Sequence, residues 1–206
     1  MNPPSQRYAA LFISMVVAII VSVLALYDGA DLEAMKLSLI WTGRLAFFVF
    51  LIPFFASPLR SLFKTDFTRL IMRWRRIAGI SYGGIQVVHL CQIYWMFRIT
   101  ASQPVDDDML YIGGFGLFLV MGMLVTSFDR ATKAIGRKNW KILHKSGFYI
   151  CSFIYFYDFV IEPIELGTSD EYVLYAALTL GAMILRTIVM IRPKRISKVG
   201  HSSAST

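Results

Sequence analysis

Two histidines set the chemical question. His89 stands in RRIAGISYGGIQVVHLCQIYWMF and His144 in NWKILHKSGFYICSFIYFYDF, each within or at the edge of a long apolar stretch. A polar group inside a bilayer is expensive to keep there and is by default functional. An imidazole so placed either hydrogen-bonds a neighbouring helix or offers a ring nitrogen to a proton or a metal. Gln86 and Gln92 lie near His89, and Asp158 follows His144 by fourteen positions, nearly on the same helical face. His201, in the terminal HSSAST, is a solvated residue. Cys91 and Cys151 occupy different apolar runs without a CxxC pattern and read as small packing residues. No Ser/His/Asp set, HExxH motif or Cys/His zinc spacing occurs, which argues against a hydrolase.

The elements that must position these groups follow from composition. Of 206 residues, 56% are hydrophobic and only 17% charged, against roughly a quarter charged in soluble domains. Six apolar runs, near 8–27, 38–56, 77–99, 109–128, 146–164 and 171–191, each approach the length of a membrane-crossing helix, for which ~20 residues suffice. The first run is longer than the apolar core of a signal peptide and reads as a retained helix. The expectation is an all-α integral membrane protein, a six-helix bundle forming one domain over 1–206, with 193–206 a short polar cytoplasmic tail.

Charge sets the expected orientation, because short connections rich in Lys and Arg stay in the cytoplasm. Arg60, Lys64, Arg69, Arg73, Arg75 and Arg76 follow the second run; Arg130, Lys133, Arg137, Lys138, Lys141 and Lys145 follow the fourth. The alternate connections are acidic: Asp28, Asp31 and Glu33; Asp106, Asp107 and Asp108; Glu162, Glu165, Asp170 and Glu171. Arg7, Arg192, Lys194, Arg195 and Lys198 then place both termini inside, as in a multi-pass protein of a bacterial inner membrane. The net charge of +8 reflects topology and anionic lipid heads, with no nucleic acid as partner. There is no P-loop and no Rossmann glycine pattern. Electrons for any redox chemistry come from a partner or from the quinone pool.

The run TGRLAFFVFLIPFFASPLRSLF, then RRIAG, His89 in VVHL, Thr126–Ser127 and GRKNWKILHK ending in His144 resemble, in order and spacing, the ferric reductase-like transmembrane domain family. The resemblance covers about 42–160 and is strongest to its MsrQ/YedZ branch of haem-binding membrane subunits. It implies b-type haem, one or two, held between the third and fifth helices, with His89 and His144 as axial ligands to iron. It further implies electron transfer from a cytoplasmic flavin (FMN) reductase or quinol to a periplasmic reductase, methionine sulfoxide reductase being the branch's acceptor. Imidazole is a standard axial ligand, tuned by hydrogen bonding and burial. Gly79, Gly83, Gly84, Gly113, Gly114, Gly116 and Gly122 would let a flat macrocycle approach the backbone, although small residues at four-residue spacing equally mark close helix packing. Tyr149, Phe153, Tyr155, Phe156 and Tyr157 could line a porphyrin or simply fill the bundle.

Depth divides the two histidines. The third and fifth helices run in the same direction, so Arg75 and Arg76 are level with His144, and His89 with Tyr157 and Asp158. The levels are separated by roughly 20 Å at 1.5 Å rise per residue, too far for one iron. The family's second histidine on the fifth helix falls thirteen positions after His144, where this chain has Tyr157. An upper site would therefore have His89 faced by Tyr157, water or nothing, and a lower site His144 with Arg75 or Arg76 suited to propionates, since guanidinium offers no lone pair. Arg44 is read as a propionate or lipid-head contact or a snorkelling side chain, Asp158 as a hydrogen-bond acceptor or a snorkelling one, and Arg186 as snorkelling. Trp41, Trp74, Trp95 and Trp140 fall at expected interfaces. Besides electron transfer, the sequence is compatible with a haem-free structural or assembly subunit and with a small transporter.

Overall fold

The computed structural model describes residues 4–27, 29–100 and 107–191. The expected topological charges Asp28, Asp106, Arg192, Lys194, Arg195 and Lys198, with His201 and the 193–206 tail, lie outside them. Among the described residues the chain is helical without a strand: α1 (Pro4–Ala25), α2 (Leu32–Leu62), α3 (Asp66–Ile99), α4 (Asp107–Val125), α5 (Asp129–Phe156), a π-helical turn (Tyr157–Ile161), α6 (Glu162–Glu165) and α7 (Ser169–Ile191). Four helical segments are long and apolar enough to cross a membrane, at Pro4–Ala25, Leu32–Leu62, Asp129–Glu165 and Asp170–Ile191, and Leu110–Val125 is a shorter apolar helix. The chain thus has the makings of a multi-pass membrane protein. α3 is as long but more polar, because it carries Arg73, Arg75 and Arg76 and the row Gln86, His89 and Gln92.

The polar connection expected at about 57–76 is mostly helix. α2 runs on to Leu62 and α3 starts at Asp66, leaving a link of three residues, 63–65. Arg and Lys are good helix formers, so a helix does not end where hydrocarbon would. Thr65 caps α3 by accepting from the Thr68 backbone N–H at 3.3 Å, and Asp31 caps α2 by accepting from Ala34 N–H at 2.8 Å. The basic stretch after α4 is likewise helical, broken at Gly136, whose φ of 78° lies in the left-handed region that glycine alone adopts freely.

The fifth span is not one regular helix either. Pro163 has no N–H to give the carbonyl four residues back, and its ring crowds that carbonyl. The ladder widens accordingly: Glu162 N–H donates to Tyr157 O, five residues back, across the π-helical turn. The turn carries Tyr157, Asp158 and Phe159 in its wall.

α2 and α3 share the most extensive interface, α1 packs on both, and α7 closes against α2 and α5. The core is aromatic. Phe47, Phe50 and Phe54 of α2 are fully buried, with Phe50 5.4 Å from Tyr82 and 5.1 Å from Tyr155, and Phe47 4.8 Å from Phe159, centroid to centroid.

Of the α3 glycines, Gly83 and Gly84 serve packing, while a Cβ on Gly79 would meet nothing within 4 Å. A Cβ on Gly83 would stand 2.8 Å from Leu124 Cδ1 of α4, and one on Gly84 would collide with Ser14 Oγ and come within 3.0 Å of the Leu11 carbonyl of α1. Gly84→Ala is therefore expected to destabilise the protein by about 1–3 kcal/mol by pushing α1 outward. Gly113→Ala, with nothing within 4 Å of its Cβ, is expected to melt within a degree or two of wild type, as surface substitutions do. Thermal unfolding in detergent compares the two.

A charge clasp ties together the end of the bundle that carries the α2–α3 and α4–α5 links, here the basic end. Asp129 receives Arg7 from α1 at 2.7 Å and Arg76 from α3 at 2.8 Å, while Arg76 also donates to the Ser127 carbonyl. The two guanidiniums, Arg7 first, hold the Asp129 carboxyl below the usual carboxylate range. A depressed carboxyl contributes stability above its unfolded pKa, about 3.9, and loses it as pH falls through the lower folded value. Wild-type melting temperature is expected to fall below about pH 4 for this reason. Asp129→Asn should melt lower at pH 7 and lose that part of the acid sensitivity, which a pH series of melting curves reads.

Candidate functional site

The site is built at the opposite, acidic half of the bundle. α2 contributes Gly43 and Arg44; α3 Tyr82, Gln86 and His89; α4 Gly113, Gly114 and Gly116; α5 and the π-helical turn Tyr155, Tyr157 and Asp158; α7 Tyr172. Together they enclose a largely apolar cavity of about 640 Å³, near the middle of the range for small-molecule and cofactor sites, ~300–1,000 Å³. Among the described residues His89 is the only imidazole in that lining.

The helices explain each placement. α3 turns the i, i+3 pair Gln86 and His89 into the cavity while Gly83 and Gly84 draw α4 and α1 close on its other faces. α4 offers Gly113 and Gly114 with open space where a Cβ would be, so its wall is bare backbone at those two positions, between side chains such as Leu117 and Met121. The π-helical turn brings Tyr157 and Asp158 into one wall with Glu162.

His89 Nδ1 lies 2.9 Å from Thr42 Oγ1 of α2. Arg44 sits in an aromatic cage, its guanidinium carbon 5.2 Å from Trp41, 5.4 Å from Tyr172 and 5.2 Å from Tyr175. Its Nε is buried without a hydrogen-bond partner, and so is Gln86 Oε1. Both residues line the cavity, and buried polar atoms left unpaired are rare enough to need an explanation. Below them Gln86 donates to Tyr82 at 3.2 Å and Tyr155 to Tyr82 at 3.4 Å.

The second histidine is elsewhere. His144 faces Thr126 Oγ1 at 3.2 Å and stacks on Trp140 at 4.3 Å, and Trp140 Nε1 donates to the Thr126 carbonyl at 3.0 Å. Arg76 grips the next residue, Ser127, and Arg75 lies 5.9 Å over Phe148. His144, Arg75 and Arg76 therefore cluster at the basic end, whereas His89, Tyr157 and Arg44 line the cavity.

The chain is 23% identical over 160 residues to the protein-methionine-sulfoxide reductase heme-binding subunit MsrQ of Azospira oryzae, covering 75% of this chain and 66% of that protein. It is 27% identical over 143 residues to that of Polaromonas naphthalenivorans (67% and 62%) and 28% over 156 residues to that of Cronobacter sakazakii (70% and 70%). The chain is distantly similar to the MsrQ subunits. It spans about two thirds of the length of these curated relatives. No family model and no solved structure matches it.

The MsrQ-like chain departs from its sequence expectations at several side chains. Asp158 lines the cavity instead of reaching for the surface. Arg186 has specific partners: its guanidinium lies 4.4 Å over Phe54 and 4.7 Å over Tyr149 and donates to the Phe54 carbonyl at 3.4 Å. A buried ring face takes a cation more cheaply than hydrocarbon does. Trp140 holds His144 rather than merely marking an interface. Of the five aromatics expected to line a porphyrin or fill the bundle, Tyr155 and Tyr157 line the cavity while Phe153 is 64% exposed, because a helix shows successive residues to different faces. Sequence reasoning missed the partners of Gln92, which are Ser22, Ser38 and Thr42. Small hydroxyls inside apolar runs were the available signal.

Proposed function

We propose that this chain is a haem-binding membrane subunit that passes electrons across the bilayer to a reductase partner; its MsrQ relatives are named as heme-binding subunits of a protein-methionine-sulfoxide reductase. The observation that carries the reading is the cavity itself: apolar, with bare glycine backbone at two positions of one wall, His89 as its imidazole and an unpartnered Arg44 Nε at its edge. A flat porphyrin with an imidazole-ligated iron and anionic propionates matches that donor set. Bound there, haem b supplies one-electron chemistry.

The chain's own residues do the rest. His89 would offer its ring nitrogen to the iron, and Arg44, held by three rings, would receive a propionate that gives Nε a partner. The glycines of α4 let the ring plane approach the backbone, and the aromatic core of α2 keeps the surroundings dry, which favours a defined potential. Tyr157 and Asp158, brought into the lining by the π-helical turn, would be further polar groups available to a haem held there. His144, with Arg75 and Arg76, is assigned to the cytoplasmic side, where electrons arrive from a flavin reductase or from quinol. The inner membrane, two cytoplasmic termini and a periplasmic acceptor belong to the same reading and rest on the charge pattern.

The replacement of a second histidine by Tyr157 favours one other reading, a haem-free assembly subunit. Purification in mild detergent with supplied haem, followed by a dithionite-reduced minus oxidised spectrum and a haem-to-protein ratio, decides between them. A b-type spectrum near one haem per chain is expected. A folded protein without haem would sink the electron-transfer reading.

A further inference from the structure

His89 is backed by a polar relay drawn from three helices, and the donors and acceptors in it fix which ring nitrogen carries the proton. Ser22 of α1 donates its only hydroxyl proton to the Ala18 carbonyl at 2.7 Å. The Gln92 amide atom 2.7 Å from Ser22 Oγ must then be a donor, which makes it Nε2. The same nitrogen donates to Ser38 Oγ of α2. With Nε2 engaged by two serines, the amide oxygen of Gln92 is the atom 2.9 Å from Thr42 Oγ1. An amide oxygen only accepts, and Thr42 Oγ1 also lies 3.0 Å from the Ser38 carbonyl and 3.1 Å from the Leu39 carbonyl, so its one proton goes to one of three oxygens that can only accept. Thr42 has no second proton for the ring nitrogen 2.9 Å away. His89 Nδ1 must therefore carry the hydrogen and donate it to Thr42. A neutral imidazole has one ring proton, which leaves Nε2 as a lone pair.

None of Ser22, Ser38, Thr42 or Gln92 lines the cavity, whereas His89 does. We propose that Thr42 and Gln92 are positioning residues that lock His89 in its Nδ1–H tautomer, so that the cavity is presented with the Nε2 lone pair. The assignment deepens the haem reading and rests on it for its purpose, although the tautomer itself does not depend on haem. An imidazole whose remote N–H donates into a chain of further hydrogen bonds is oriented and made a stronger electron donor. The relay also explains why a threonine, which a valine would match in shape, stands at position 42 within TGR.

The test uses full-length protein carrying ¹⁵N-imidazole-labelled histidine in detergent, first without haem, with the His89 signal assigned through His89→Gln. Wild type is expected to show one tautomer, with Nδ1 protonated and Nε2 bare. Thr42→Val and Gln92→Leu are expected to show a mixture of tautomers, and Thr42→Ser to restore the single one. A wild-type Nε2–H tautomer or mixture would overturn the proposal, as would an unchanged tautomer in folded Thr42→Val. If Thr42→Val does not fold, the wild-type spectrum alone decides.

With haem added, Thr42→Val is expected to bind it about ten- to hundredfold more weakly than wild type. Its midpoint potential should be higher, because a poorer donor stabilises ferric iron less, and Thr42→Ser should return both values. Equal potentials in wild type and Thr42→Val would count against the relay. A wild type that shows the Nδ1–H tautomer but takes up no haem would sink the haem reading and leave the relay standing.

Discussion

Replacing His89 with alanine is expected to abolish the haem signal of the cavity, with the haem-to-protein ratio falling at least tenfold. Among the described residues no other imidazole lines that cavity, and the loss of an axial nitrogen is not made good by the phenols and thioethers around it at comparable strength. The vacated space is bounded by bare backbone at Gly43, whose Cβ would stand 3.9 Å from the ring. Exogenous imidazole should therefore enter and restore the spectrum, which separates a lost ligand from a lost fold. His144→Ala, at the basic end and outside the cavity, should leave the cavity signal in place. A signal that survives in His89→Ala but disappears in His144→Ala would move the working site to the basic end.

Tyr157→His is the second substitution with a large expected effect, and it is a gain. Tyr157 is in the cavity wall contributed by the π-helical turn, with His89 in the wall contributed by α3. An imidazole at 157 would give iron a second neutral nitrogen ligand in place of a phenol, water or an empty position. Haem retention should rise on the order of tenfold or more, each factor of ten corresponding to about 1.4 kcal/mol of added ligation. The optical spectrum should become that of a six-coordinate low-spin bis-imidazole haem, and carbon monoxide binding to the reduced form should weaken. Haem release to apomyoglobin measures retention, and a spectrum identical to wild type would mean that position 157 does not meet the iron. Tyr157→Phe is the matched control: if the phenol ligates in wild type, it shifts the ferric spectrum, and if not, it leaves the spectrum unchanged.

The residues that line the cavity differ in how readable they were. His89 was legible because an imidazole in an apolar run stands out, and its level with Tyr157 and Asp158 followed from counting residues along parallel helices. Arg44 was legible as an anomaly but not as the centre of a cage, because Trp41 is its near neighbour in sequence and Tyr172 and Tyr175 come from the last helix. The glycines could not be divided in advance. Gly83 and Gly84 meet side chains of α4 and α1, whereas Gly113 and Gly114 meet open space, and only the relative rotation of the helices separates those cases. The relay behind His89 was hidden for a similar reason: Ser22, Ser38 and Thr42 resemble the ordinary small polar residues of membrane helices until Gln92 is seen to join them.

By itself the sequence determined that this protein is built of long apolar helices separated by links of alternating charge. It also determined that its unusual chemistry is confined to a few intramembrane polar groups, because hydropathy and charge are local properties summed along the chain. Tertiary structure alone decided which of those groups meet. It put His89, Arg44, Tyr157 and Asp158 around one cavity and His144 with Trp140, Thr126 and the arginines at the other end. It also bent the fifth span into a π-helical turn ahead of Pro163. The physical reason is that helix rotation, tilt and local ladder changes are set by packing between neighbours, through glycine contacts, ring stacking and shared hydrogen bonds. None of these has a signature within a single helix.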